Sequence, residues 1–330
     1  MSSRGLVTTS EGENRGAFTP GDWGLLVLAA GIWGASFLFM EIALDAFHPS
    51  VVTLGRIGVG FLALAAFPKA REPVERKDWP RLGLLGFCWM AFPLSMFPIA
   101  QQWIDSTLAG MLNASMPITT AALSALLLRR LPGIRQAVGL AIGFVGILLI
   151  GAPSLGSGSS EALGVVLVML AMLSYSVAAN VAVPLTQKYH SLQVMVRVAA
   201  AALVMVLPLG LAGIPASGFG WGPLMAVVAA GALGTGVAFV AAGALMARVG
   251  ATRGSIITYI IPVVSTALGI GLLDETVAII SAVGMLLVFA GAWVASRAEV
   301  SPTVEGARDR AQPPTANPAG KAATEGTPPP

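Results

Sequence analysis

Apolar stretches of about 20 residues follow one another almost without interruption from Trp23 to Ser296. Twenty residues of helix span about 30 Å, the thickness of a bilayer's hydrocarbon core. Inside lipid every backbone amide must find a partner within the protein, and continuous apolar runs meet that demand as α-helices. The composition agrees: 55% of the residues are hydrophobic and 11% charged, against about 25% charged in an ordinary soluble domain. Ten spans use about 200 residues, so a large soluble catalytic domain has no place.

Polar breaks put helices at 23–44, 50–68, 82–102, 106–128 and 134–152, then at 162–184, 192–214, 222–246, 253–273 and 276–296. Residues 1–22 form a polar tail. The run from Trp23 to Leu44 is too long for a signal-peptide core and is read as a retained first helix. Residues 153–161, which include Pro153-Ser154-Leu155-Gly156-Ser157, read as a flexible extracytoplasmic linker, and 298–330, rich in Pro, Ala, Gly and Thr, as a disordered tail. Numbering the loops from a cytoplasmic N-terminus places every Lys and Arg on the cytoplasmic side except Arg56 and Arg197, which fall within helices. The outer loops hold only acids: Asp45, Asp105, Glu161, Asp274 and Glu275. Cations stay inside during insertion, so this segregation supports an all-α integral membrane protein of ten transmembrane helices with both termini cytoplasmic.

The chain also matches itself at an offset of 145. Thr107 falls on Thr252, Pro117 on Pro262, Gly139 on Gly284, Phe144 on Phe289 and Gly146 on Gly291, while an offset of 141 sets Arg56 on Arg197. Each set of five helices is odd in number, so the second enters the membrane from the opposite face. The expected architecture is two inverted five-helix repeats, 23–152 and 162–297, as is common in secondary transporters that rock two bundles about a midplane site.

Several stretches carry a resemblance: Trp33-Gly34-Ala35-Ser36-Phe37, Arg56, the run from Thr107 to Pro117, Ala121 to Leu128 with Arg129-Arg130, and Pro262 with Asp274-Glu275. Over about residues 23 to 297 the chain resembles the EamA-type branch of the drug/metabolite transporter superfamily. The resemblance implies a bacterial inner-membrane carrier for small metabolites, often an amino-acid or drug exporter. Asp274-Glu275 is close to the family's usual Gly-Glu; Arg129-Arg130 departs from it in the first half.

Candidate site residues follow from helical spacing. Gly110, Asn113, Pro117 and Thr120 share a face, as do Ser255, Thr258, Pro262 and Ser265. Proline frees a backbone carbonyl, and small polar neighbours can satisfy it or a ligand; close helix packing is the competing explanation. Trp33, Ser36 and Phe37 on helix one and Tyr175 and Asn180 on helix six add aromatic and polar groups suited to a partly apolar solute. Arg56, about 10 Å below the outer end of helix two, is expected to pair with Glu41 as a gate or to anchor an anion; snorkelling is the plainer alternative, and also for Arg197. Gly139-x-x-x-Gly143 reads as a packing motif.

No nucleotide-binding loop, metal-ligand pattern or basic cluster interleaved with aromatics is present. The expectation is therefore no cofactor, no metal and no nucleic acid, with a small molecule and the bilayer as partners. Glu41 is the one in-span acid able to carry a coupling proton. A membrane-embedded enzyme would need clustered acids or histidines within the spans, and a scaffold or sensor leaves the two polar proline faces unexplained. The reading is a secondary transporter moving a small, amino-acid-like metabolite or drug outward by alternating access.

Overall fold

The computed structural model describes residues 12–13, 17–127, 134–157 and 159–296. Most of the N-terminal tail, the Arg129-Arg130 turn and the 298–330 tail lie outside the described residues. Among the described residues every element is helical and none is a strand.

Local sequence sets the helix starts. α1 (Pro20–Leu44) opens on a capping box: the Thr19 hydroxyl accepts from the Asp22 amide, and the Asp22 carboxylate accepts from the Thr19 amide at 2.9 Å, with Pro20 in the first turn. α2 (Pro49–Ala65) is capped by His48, whose Nδ1 accepts from the Ser50 amide. α3 (Trp79–Leu85) and α4 (Phe92–Ala100) are joined by a π-helical turn, Gly86–Ala91. α5 (Ser106–Asn113) takes its cap from Asp105, and α6 (Met116–Leu127) follows after a two-residue break. α7 (Ile134–Ser157) and α8 (Ser159–Lys188) come next, then α9 (Ser191–Gly213), capped by His190 through the same Nδ1 contact two residues on. α10 (Trp221–Ala229) and α11 (Ala238–Val249) are joined by a second π-helical segment, Ala230–Val237. α12 (Ala251–Gly254) passes through a 3₁₀ stretch, Ser255–Tyr259, into α13 (Ile261–Leu273), and α14 (Ile279–Ser296) closes the order.

Among the described residues, six helical segments are long and apolar enough to cross a bilayer: Pro20–Leu44, Arg76–Ala100, Ser160–Lys188, Ser191–Ala216, Trp221–Val249 and Ser255–Leu273. Three apolar ones are shorter: Pro49–Ala65, Ala137–Pro153 and Ile279–Gly291. This is a multi-pass α-helical membrane protein. The expected fourth helix, 106–128, is two pieces rather than one, because Pro117 opens α6 and brings no amide proton to the turn before it. The expected flexible linker is a correction: the chain stays helical through Pro153 to Ser157 and resumes at Ser159. α7 is packed along α14, and the Ser281 hydroxyl donates to the Ile150 carbonyl at 3.0 Å close to that proline.

The irregular segments recur at matching places. The π segments begin at Gly86 and Ala230, and the breaks at Ala114–Ser115 and Ile260 directly precede Met116-Pro117 and Ile261-Pro262. Freed carbonyls find cross-helix donors: Ser174 Oγ donates to the Cys88 carbonyl at 2.9 Å, and Trp33 Nε1 to the Gly234 carbonyl at 3.0 Å. The α7–α14 seam is its own image. A Cβ on Gly146 would lie 2.6 Å from the Gly284 carbonyl oxygen, and one on Gly284 would lie 2.6 Å from that of Gly146; a Cβ on Gly291 would lie 2.6 Å from the Gly139 carbonyl. The Gly139-x-x-x-Gly143 motif is thus a close-approach surface.

Two sets of loops define the ends of the bundle. At one, the Gly218 amide donates to the Ala46 carbonyl at 2.7 Å, and the Gln101 amide ties the end of α4 to Glu41 near the end of α1. At the other, Lys188 bridges Glu75 and Asp78, the Tyr189 hydroxyl donates to Asp78 at 2.7 Å, and Asp22 meets Arg248. Lys188 and Lys77 hold the Glu75 carboxyl below its usual range.

The turn after α13 carries a clamp. Asp274 adopts a left-handed conformation, φ 53° and ψ 27°. Glu275 is thereby turned onto the start of α5, accepting from the Ser106 amide at 3.0 Å, the Ser106 hydroxyl at 2.7 Å and the Thr107 amide at 2.9 Å. A carboxylate on free helical N–H groups is a charge-assisted cap.

Two stability outcomes follow, both read as thermal unfolding of detergent-solubilised protein. Gly284→Ala should cost about 1–3 kcal/mol, since its methyl group meets backbone that cannot yield, whereas Gly271→Ala, whose Cβ meets nothing within 4 Å, should be neutral or mildly stabilising. Asp274→Gly should raise stability by about 0.5–1 kcal/mol by relieving the left-handed residue; an unchanged midpoint would mean the aspartate side chain offsets that strain.

Candidate functional site

The irregular segments surround a narrow cavity in the middle of the bundle. Its empty space is about 470 Å³, of which about 30 Å³ admits the centre of a water molecule. α1 contributes Trp33, Ser36, Phe37 and Met40, and α2 contributes Arg56. The first π segment and α4 supply Trp89, Leu94 and Phe97. Asn113 and Met116 flank the break between α5 and α6, Tyr175 comes from α8 and Met246 from α11, and Thr258 and Ile261 flank the break before α13.

Aromatic rings form two walls. Phe37 meets Phe97 edge-on at 5.3 Å between centroids, and Phe97 lies 6.1 Å from Tyr175. Trp33 and Trp89 both pack against Phe239, at 5.1 and 5.5 Å. The indole of Trp33 is fixed by its bond to the Gly234 carbonyl, a group that the second π segment turns toward α1.

Arg56 is the charged member of the lining and is 3% exposed. Its Nε donates to the Thr235 hydroxyl at 3.1 Å and its Nη1 to the Met40 thioether at 3.2 Å; among the described residues it has no carboxylate partner. Gly234 leaves room for this arrangement, since a Cβ there would lie 3.2 Å from Nη2 and 2.6 Å from the Ser36 hydroxyl. An arginine at the centre of a membrane helix costs about 2.5–3.5 kcal/mol on insertion scales, so two neutral partners are a thin compensation. Asn113 is 5% exposed and, like the Tyr175 hydroxyl, makes no side-chain hydrogen bond within the described residues.

The structure brings together seven of the residues singled out from sequence: Trp33, Ser36, Phe37, Arg56, Asn113, Tyr175 and Thr258. The others lie off the cavity. Thr120 and Thr119 bond Ser176, the Asn180 amide donates to the Ser176 carbonyl at 2.9 Å, and the Ser265 hydroxyl returns to the Pro262 carbonyl. Pro117 and Pro262 act through the chain breaks that they open. The expected Glu41–Arg56 pair is a correction: Glu41 is held by the Gln101 amide at 3.0 Å, while Arg56 turns inward to Thr235. Arg197 likewise does not line the cavity. It donates to the Ala70, Glu72 and Gln193 carbonyls at 3.1, 2.6 and 2.8 Å, tying α9 to the loop before α3.

Sequence reasoning missed Met40, Trp89, Leu94, Phe97, Met116, Met246 and Ile261, and the supporting Gly234 and Thr235. Met40 was visible, being seven residues beyond Trp33 on the same helical face. Trp89 and Phe97 were not, because their span is apolar all round and no polar residue marks the face that turns inward.

A second cavity, with about 240 Å³ open to water centres, lies near the acidic end and is lined by Trp103, Asp105, Thr107, Glu161, Thr276 and Ser281 among others. Burial, with Glu275 and Glu161 close by, pushes the Asp105 carboxyl above its usual value.

Thr235→Val removes the acceptor of Arg56 Nε at constant shape and should cost about 1–3 kcal/mol, the penalty of a buried unsatisfied donor. Thermal unfolding in detergent reads this, and an unshifted midpoint would mean that Nε has another acceptor.

Comparison with known proteins gives a consistent picture. The model of the family described as "EamA-like transporter family" matches residues 22–152 and again 162–297. A Bacillus subtilis (strain 168) protein named "Uncharacterized transporter YdfC" is 30% identical over 153 residues, 46% of this chain and about half (49%) of that protein's length. An "Uncharacterized transporter" of Archaeoglobus fulgidus is 22% identical over 83% of this chain and 98% of its own. A "Probable terminal-alkyne amino-acid exporter" of Streptantibioticus cattleyicolor is 25% identical over 82% of this chain and 92% of its own. A solved crystal structure superposes with a TM-score of 0.64 at 19% identity, covering 85% of this chain and 97% of that one, and so shares the fold.

Proposed function

The chain belongs to the EamA-like transporter family, and we propose on that footing that it is a secondary transporter moving a small, partly apolar metabolite or drug by alternating access. The family and the relatives' names point to transport rather than catalysis. The proposed body is ten membrane crossings in two inverted repeats, 23–152 and 162–297, joined through 153–161. The supporting features are the self-matching Gly139/Gly291 and Gly146/Gly284 contacts, the two π segments, and the paired breaks before Pro117 and Pro262. An odd number of spans per repeat gives each half the opposite orientation, which supplies two bundles able to rock about a common centre.

The observation that carries the reading is the central cavity itself. Its wall is built where helices of both halves are irregular, and irregular backbone at membrane depth is tolerated where it lines a cavity or is buried in protein. Asn113 and Thr258 occupy equivalent positions in the two halves and both face it.

Orientation follows from charge. The end of the bundle that carries Lys69, Arg71, Arg76, Lys77, Lys188 and Arg248 is proposed to face the cytoplasm of a bacterial inner membrane, together with residues 1–22 and 298–330. The relative named as an exporter supports outward movement. Glu41, tied to Gln101 near the acidic end, is the acid on which a proton gradient would act, separately from Arg56.

Flux of amino acids, organic acids and drugs in proteoliposomes tests this, without nucleotide and with or without a proton gradient. Uptake or counterflow above protein-free vesicles is expected for at least one class. Asn113→Leu should lower that flux by about five-fold or more, equivalent to about 1 kcal/mol of lost hydrogen bonding, at unchanged membrane abundance. No flux of any solute, or normal flux in the Asn113 variant, would overturn the transporter or the site, respectively.

A further inference from the structure

Arg56 borders the central cavity with most of its hydrogen-bonding capacity unspent. A guanidinium has five donors, and the partners that it has here are one hydroxyl and one thioether, the latter a weak acceptor. Nη2 has no acceptor among the described residues. Two further polar groups face the same space, the Asn113 amide and the Tyr175 hydroxyl, and neither makes a side-chain hydrogen bond among the described residues. All three can donate, and the arginine fork matches the two oxygens of a carboxylate.

The rest of the lining constrains the charge. Among the described residues no acid lines the cavity, so none of them neutralises Arg56 there or receives an ammonium group. A bound monocarboxylate brings the site to zero net charge. A zwitterion leaves one positive charge in excess, with its ammonium facing neutral groups. The walls on either side, Phe37–Phe97–Tyr175 and Trp33–Trp89, offer ring faces and edges to a slender apolar body.

Resting on the transporter reading, we propose that the cargo is an organic monoanion, a carboxylic acid with an apolar or aromatic body and no compensating amine. Its carboxylate binds the free edge of Arg56 and its body lies between the aromatic walls. This class differs from the amino acid in the name of the Streptantibioticus relative, and the cavity's charge is the reason.

Equilibrium binding to detergent-solubilised, full-length protein tests the idea through the fluorescence of Trp33 and Trp89. The probes are 3-phenylpropanoate, its uncharged amide and L-phenylalanine. The acid should bind about 10- to 100-fold more tightly than either, the ratio expected for a charge-assisted pair. Arg56→Gln should bring the acid down to the amide's affinity while leaving the amide unchanged, and Arg56→Lys should keep part of the preference. Should Arg56→Gln fail to fold, the three-ligand comparison on the unaltered protein decides alone. Equal affinity for acid and amide, tighter binding of phenylalanine, or no binding of the acid overturns the proposal. Binding requires no transport, so carboxylate-selective binding without flux would sink the transporter reading alone, and flux blind to the carboxylate would sink only this one.

Discussion

A backbone amide inside a bilayer has no water to turn to, and the architecture of this protein is organised by that fact. Most of the chain answers with unbroken helix. Among the described residues two π segments and the breaks before Pro117 and Pro262 depart from regular α-helix, and they either line one cavity or hold the side chains that do. Where helix geometry lapses, a neighbour supplies the missing bond: Ser174 to the Cys88 carbonyl, Trp33 to that of Gly234. The same irregularity that must be satisfied also sets the shape of the site, since it turns Trp89 inward and brings Thr235 to Arg56.

The fold was largely legible because lipid imposes a strong rule on composition. Apolar run length pointed to an all-helical membrane chain, and the glycines and prolines that match at an offset of 145 lie at the α7–α14 contact and at the openings of α6 and α13. The linker was misjudged for an instructive reason. Glycine and serine predict flexibility when the alternative is water, but here the flanking helices are held by their neighbours, and helix reaches Ser157 on one side and begins at Ser159 on the other. The histidine caps at His48 and His190 went unread because histidine is an uncommon cap and neither position stood in any periodic pattern.

The site was legible where polarity broke an apolar face, as at Ser36, Asn113 and Thr258, and illegible where the lining is as greasy as the lipid-facing surface, as at Trp89, Leu94 and Met246. Depth along a helix also misled. Glu41 and Arg56 are near one another in height, yet pairing depends on which way each side chain turns, and Gln101 and Thr235 settle that. A guanidinium drawn away from the nearest acid leaves an uncompensated charge where the protein could have neutralised it at little cost.

Glu275 stands at the end of α13, and counting back 145 residues lands on Arg130. Two interchangeable halves would make the two facing conformations of a carrier mirror images with equal energy, so that only the solute gradient would decide which prevails. Here one rim is buttoned by an anion and the related position is a cation. In the proposed cycle such a mismatch would tilt the balance between conformations before any solute arrives, giving an otherwise even-handed machine a direction in which to come to rest.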